Sequence, residues 1–381
     1  MIQYELYKIW RSRLLWGFLA VFILINAVRI VQLSEQFRVN KEMNEARTQL
    51  YTEVRGTWNK DKLQFVIEKQ HDLETQVMSG NYSTEPDQPD TYSGYVFGDY
   101  SLFTEIYTEM DYMYHYEANN KKVLSDIQNN IAFFTERGNT TDAKRSAAAL
   151  SHYQNRKISA YYRTAGAEQW IHYSFSSLLI LISVILCISP CFAKEHETKM
   201  DALLQTVRYG QTRLCLAKII AALISTFGIV LTFSGTDGMC FLIGFSLDCL
   251  HNPIYSIASM QDSPFSCSIG IYLIFLYVCK LLSAILFAML VLFFSCMTKD
   301  EMRTAICSVV AIVLAMIIGG SWNPLSLFTM NQYASDFQCV SLFGVYLLKP
   351  IGMLLAVILE LFAAMIAILL LHRKRGSYDR L

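Results

Sequence analysis

The chain has 381 residues, of which 53% are hydrophobic and 17% charged, with Lys+Arg and Asp+Glu balanced at 32 each. That neutral balance argues against nucleic acid as partner. The apolar residues collect in runs of about 20, the length that crosses a bilayer core as helix, so the pattern predicts an all-α, multi-pass membrane protein.

In chain order, residues 1–13, MIQYELYKIWRSR, place Ile2, Leu6 and Ile9 on one helical face and Glu5, Lys8 and Arg11 elsewhere. This suits an amphipathic connecting helix in the inner interface, with Trp10 at headgroup depth, or simply a cytoplasmic lead into the first span. The first span covers 14–32. It is too long for a signal-peptide core and no small-residue cleavage site follows, so it reads as a retained anchor. Arg29, near its outer end, snorkels to the interface.

Residues 33–170 form the large soluble region, expected as a helical extracellular domain inserted between the first two spans. A polar helix is predicted over 34–78, then a turn-rich link, SGNYSTEPDQPD. Next comes TYSGYVFGDYSLFTEIYTEMDYMYHY, with nine Tyr or Phe in 26 residues, followed by helices over 119–136 and 141–164. Tyr95, Phe97, Tyr100, Phe103, Tyr107 and Tyr112 are candidates for a surface that holds an apolar or peptide substrate. Against this, Val96, Phe97, Phe103, Ile106, Tyr107 and Met110 fit one helical face, and the reading as the domain's own core is the stronger of the two.

Five further spans follow at 171–192, 214–233, 269–297, 302–320 and 351–371, making six, with a tail over 372–381. The stretch 238–250 is apolar but short and carries Asp248. The loop 234–268 is therefore expected outside with a re-entrant or interfacial piece, a seventh span being the alternative; 321–350 is expected as a similar outer loop. Lys and Arg gather in alternate loops, as Lys8, Arg11 and Arg13, then Lys194, Lys199, Arg208, Arg213 and Lys218, then Lys299 and Arg303, then Arg373, Lys374, Arg375 and Arg380. The short loops on the other side hold only Lys349. The positive-inside rule then puts both termini and 193–213 in the cytoplasm, with the chain in the plasma membrane.

The ten cysteines show no CxxC spacing and none falls in 33–170, which argues against zinc. Cys240, Cys249, Cys267 and Cys339 could pair outside, but small apolar packing residues are the simpler reading. GxxxxGK[ST], HExxH and GxSxG are absent, and the histidines do not cluster. No catalytic site, metal or cofactor is expected in this chain. Within the spans, Lys280 and Glu360 each lie about ten residues from the outer end, so they could be level. They are expected to pair between helices and fix packing, with snorkelling of Lys280 as the alternative.

The loop after the second span reads FAKEHETKMDALLQTVRYGQTRLCLAK over 192–218. A helix is predicted over 194–208, with Met200, Leu203, Leu204 and Val207 on one face and Gly210 as its stop. Such a helix could lie flat on lipid or present its face to a cytoplasmic protein. This loop resembles that of permease subunits of ABC-2 type ABC transporters, of Gram-positive kind. The residues that carry the resemblance are Glu195, Leu203, Leu204, Thr206, Gly210, Arg213 and Lys218. Where the family often has Gly before the position of Met200, this chain has Lys199. YELYKIWRSRLL resembles the family's connecting helix, and NPIYSIASMQDSPFSCSIGIYL and NPLSLF resemble its outer loops; one span, a large outer insert and five more spans match its plan.

The resemblance implies a coupling helix that docks into a groove on a separate ATP-binding subunit. Met200, Leu203 and Leu204 would fill the groove, with Val207 on the same face, and Glu195, Arg208 and Arg213 would orient it at the rim, with Gly210 as the helix stop. ATP and Mg would bind the partner, and a second permease chain, identical or similar, would complete the pathway among membrane lipids. An exporter is implied, for an antimicrobial peptide, a lipid or an envelope component. The competing expectations are a membrane sensor of an extracellular ligand signalling through a partner kinase, and, last, a membrane-embedded enzyme.

Overall fold

The computed structural model of the chain describes residues 1–36, 41–80, 91–200, 212–245, 247–298, 300–318, 323–342 and 345–378. It is mostly helical. Among the described residues, five helices are long and apolar enough to cross a membrane: Arg13–Gln36, Ala165–Glu197, Thr212–Gly244, Ile269–Met297 and Lys349–His372. The fifth predicted span corresponds to a helix over Glu301–Ile318, and its last predicted residues lie outside the described ones.

The chain opens with α1 (Ile2–Trp10) and α2 (Arg13–Gln36). The insert then builds α3 (Lys41–Val54), β1 (Gly56–Thr57), α4 (Lys60–Ser79), α5 (Val96–Glu136), α6 (Thr140–Tyr153) and β2 (Ala160–Tyr161). The helix expected over 34–78 is thus broken. Gly56 takes φ +105°, a conformation open to glycine, and β1 pairs antiparallel with β2. Asn59 then restarts the chain by accepting a hydrogen bond from the Asp61 amide, an N-cap. In contrast, the aromatic stretch and the helix expected over 119–136 merge into α5, the 41-residue spine of the domain. The Asp99 carboxylate anchors its start, accepting from the Tyr92 and Ser93 amides, each at 2.7 Å. Leu102, Phe103, Ile106 and Met110 on α5 are buried with Leu63, Val66 and Leu73 of α4. Burying each such side chain stabilises the domain by about 1.5–3 kcal/mol.

The second span is three helical pieces, α7 (Ala165–His172), α8 (Phe175–Ile188) and α9 (Pro190–Glu197). It is followed by α10 (Thr212–Gly244), α11 (Ile269–Met297), α12 (Glu301–Ile318), α13 (Asn331–Ala334), the hairpin β3 (Cys339–Leu342) and β4 (Val345–Leu348), and α14 (Lys349–Tyr378). Buried Ala221, Ala222, Ala284 and Ala288 let α10 and α11 approach closely at the centre of the bundle.

Helix α10 corrects the re-entrant reading of 238–250. The sequence Ser-Gly-Thr-Asp-Gly at 234–238 carries two glycines, each costing about 1 kcal/mol in a helix relative to Ala, yet the helix runs through it to Gly244. Asp237 is buried there and held by the Asn26 side chain. Beyond the helix, 248–260 folds into short 3-10 turns that form a floor under the insert. Tyr112 Oη donates to the Tyr255 carbonyl at 2.8 Å. The Arg156 guanidinium lies between the rings of Tyr153 and Tyr255 and donates to the Ser263 carbonyl at 2.6 Å. Arg55 pairs with Asp248 at 3.1 Å.

Candidate functional site: the base of the 193–213 loop

The loop begins where α9 ends. Pro190 has no N–H, and the first amides of a new helix lack intrahelical acceptors. Ser295 of α11 supplies one: its hydroxyl accepts from the Phe192 and Ala193 amides at 3.0 and 3.1 Å and donates to the Ser189 carbonyl at 2.8 Å. The elbow is thereby bonded to the fourth span.

Glu195, in the last turn of α9, is shared by two lysines. Lys8 of α1 reaches its Oε1 at 2.6 Å, and Lys218 of α10 reaches its Oε2 at 2.6 Å. Lys218 also donates to the Cys191 carbonyl, and its ammonium lies 4.6 Å from the centre of the Phe192 ring. One carboxylate therefore joins α1, the elbow after the second span and the start of the third, which corrects the expected role of Glu195 at the rim of a partner's groove: its side chain is 12% exposed and is engaged within the chain. The Lys218 side chain is 1% exposed against 37% for Lys8, so the Lys218 pair carries most of the strength. Partial burial lowers the Lys8 pKa, but the hydrogen bond and charge of Glu195 more than offset this and hold it above the usual lysine value. Trp10 Nε1 donates to Ser225 Oγ at 3.1 Å, a second tie from α1 to the third span.

Lys199 has φ +57°, in the left-handed region that glycine favours. This is the position at which the resembled family often has glycine. Met200 follows it, exposed at 49%. Leu203, Leu204, Thr206, Val207, Arg208 and Gly210 lie outside the described residues. Arg213 is exposed in the first turn of α10.

A second polar cluster lies within the bundle, toward the end that bears the insert. Asn26 Nδ2 donates to Asp237 Oδ1 at 2.7 Å, and Tyr173 Oη donates to Asn26 Oδ1 at 2.8 Å. Ser176 hydrogen-bonds Asp237. Lys280 interacts electrostatically with Asp237 and donates to the Tyr173 carbonyl and Ser176 hydroxyl at 3.4 and 3.5 Å. Four membrane segments meet there. This corrects the expected pairing of Lys280 with Glu360: among the described residues no ion pair joins them, Lys280 is buried beside Asp237, and Glu360 is exposed on its helix. The extended third helix makes the difference, because it carries Asp237 to the level of Lys280.

The proposed aromatic surface is corrected in part. Phe103 is 1% exposed, and Tyr112 bonds to the loop below it, so both serve the domain core and its floor. Tyr100 and Tyr107 pack partly buried against that core; Tyr95 is half-buried, and Phe97 remains 60% exposed. On the same helix, burial pushes the Glu109 carboxyl up to about 7, against the opposing pull of Arg163 and a 3.0 Å hydrogen bond from Tyr161. All ten cysteines are free thiols, Cys249 fully buried.

Asn26, Tyr173, Asp237 and Ser295 were not picked out from the sequence. An Asn and an Asp within apolar runs were the available signals; Tyr173 and Ser295 look like ordinary span residues. Comparison of the chain with protein-family models, with curated proteins and with solved structures finds no match.

Proposed function

We propose that the chain is a permease subunit of an ABC transporter, with six spans, both termini in the cytoplasm and the insert outside the plasma membrane. Loop 193–213 is the handle by which a separate ATP-binding subunit moves it, and ATP and Mg bind that partner. The observation that carries this reading is the double ion pair of Glu195 with Lys8 and Lys218 at the base of the loop. A loop tied at its base to the connecting helix and to two spans transmits a push as a rigid-body movement instead of absorbing it. The glycine-like backbone at Lys199 supports the same reading. Apolar Met200, Leu203 and Leu204 would fill the groove of the partner, with Arg208 and Arg213 at its rim. Two such chains, identical or similar, would pair to form the pathway, and its cargo would be an antimicrobial peptide, a lipid or an envelope component.

Purification from native membranes in mild detergent, with mass spectrometry of what accompanies the chain, tests this. An ATP-binding subunit with a P-loop is the expected companion. A histidine kinase in its place would overturn the permease reading in favour of the sensor.

A further inference from the structure

Inside the bundle, Asp237 and Lys280 compensate each other. Two further charges lie on the outer surface of the spans. Glu360 sits midway along α14 and is exposed; among the described residues it makes no hydrogen bond or ion pair, and no charged group of its own chain acts on it. Arg29 of α2 is likewise exposed and makes no hydrogen bond or ion pair among the described residues. A charge that faces lipid at such depth is costly, and intramembrane charges pair with one another or face protein. The apolar side chains exposed beside them, Ile25 and Val28 on α2 and Leu359 and Phe362 on α14, suit lipid and protein equally and decide nothing. The two charges decide.

They are opposite in sign and close in depth. Arg29 lies about seven residues from the insert end of α2 and Glu360 about eleven from that end of α14, a difference of about 6 Å along the helices. Both are tied to the level of Lys280. Arg29 acts electrostatically on Tyr173, whose carbonyl accepts from Lys280. Lys280 is itself about eleven residues from the insert end of α11, against which α14 packs. Helix side chains lean toward the N-terminus. Arg29 therefore leans away from the insert and Glu360, on a helix of opposite direction, leans toward it, which brings their tips nearer the same depth.

Helices α2 and α14 both pack on α10, and α10 exposes Leu216, Ile220, Ile224, Phe227 and Leu231 as one stripe. A two-fold axis along the membrane normal beside that stripe would lay α2 of one copy on α14 of another and make the Arg29–Glu360 contact twice. We infer that a second copy of this chain docks on this face, Arg29 of each copy pairing with Glu360 of the other. The inference deepens the permease reading, which asks for two chains, by making them identical and naming the face through which they meet.

The test co-expresses two copies of the full chain with different tags and measures how much of one is captured with the other in mild detergent, at equal expression and monodispersity. Wild type is expected to capture itself. Arg29→Glu makes both contacts of a self-pair acid against acid, and Glu360→Arg makes both base against base. Each is expected to reduce self-capture about tenfold. A mixed pair of the two variants has opposite charges at both contacts, and its capture is expected to return to within about twofold of wild type. Arg29→Gln and Glu360→Gln stand in where a reversal is not monodisperse, and each is expected to reduce self-capture about threefold. No self-capture of wild type overturns the inference. So does self-capture that none of the four variants lowers, or a mixed pair captured no better than either reversal with itself. A different membrane chain that accompanies wild type in place of a second copy, and is lost on Glu360→Gln, overturns it as well. An ATP-binding subunit retained without self-capture would remove this face and keep the permease reading. Charge-dependent self-capture in a chain that brings down no ATP-binding subunit would do the reverse.

Discussion

The two polar clusters of the membrane bundle hold their charges differently. At the base of the 193–213 loop, Glu195 is gripped from both sides at 2.6 Å, by one lysine that is buried and one that is partly exposed. In the bundle, the 2.7–2.8 Å contacts are hydrogen bonds through Asn26, and Lys280 makes only long ones, at 3.4 and 3.5 Å. The first cluster joins elements on either side of a loop. The second joins four segments where water is scarce. A charge near the interface can lose a partner and regain water; a charge inside the bundle cannot. The first thus ties three elements together at the edge of the bundle, and the second holds the bundle in register.

That contrast breaks most visibly at Lys280. Lys280→Met leaves the Asp237 carboxyl without its compensating charge and is expected to cost about 3–5 kcal/mol, seen as a fall in unfolding temperature in detergent. Asp237→Asn/Lys280→Met should recover at least half of the loss, and strict additivity would separate the two residues. Glu195→Gln is expected to cost about 3 kcal/mol by stranding Lys218, whereas Lys8→Ala should cost less than about 1 kcal/mol because Lys8 is partly exposed. Equal losses from Glu195→Gln and Lys8→Ala would contradict the division of strength between the two pairs. Lys199→Gly is expected to stabilise the elbow by about 1 kcal/mol by relieving a left-handed lysine, measured by the same melt.

The smallest effect lies in the insert. Burial raises the folded pKa of Glu109 to about 7, above the usual carboxylate range. Its stabilising contribution is therefore fully present below the unfolded value and is lost as pH rises through about 7. The unfolding temperature of the full chain should fall between pH 5 and 7.5 by a component that Glu109→Gln removes. A wild-type profile identical to that of Glu109→Gln would contradict the assignment.

The long apolar runs made the bundle legible in the sequence, because length and hydropathy are local properties. The positions of Glu195 and Lys218 flanking one loop were legible too, though not that they meet, or that Lys8 joins them. Two errors share one cause. Ending the third span at 233, and weighing only Asp248 in the short apolar stretch beyond it, passes over Asp237; the helix runs on to Gly244, and Asp237, held by Asn26 from far away in the chain, becomes the carboxylate beside Lys280. The aromatic run misled in the opposite sense, since a dense set of rings looks the same whether it faces a ligand or the floor of its own domain.

The central claim is that loop 193–213 is held by an ATP-binding subunit. The most direct measurement is how much of that subunit is retained by Leu203→Asp against wild type, purified in mild detergent at equal yield and monodispersity. A loss of at least about tenfold, equivalent to about 1.4 kcal/mol, is the expected result. Retention equal to wild type by an intact Leu203→Asp chain would contradict it.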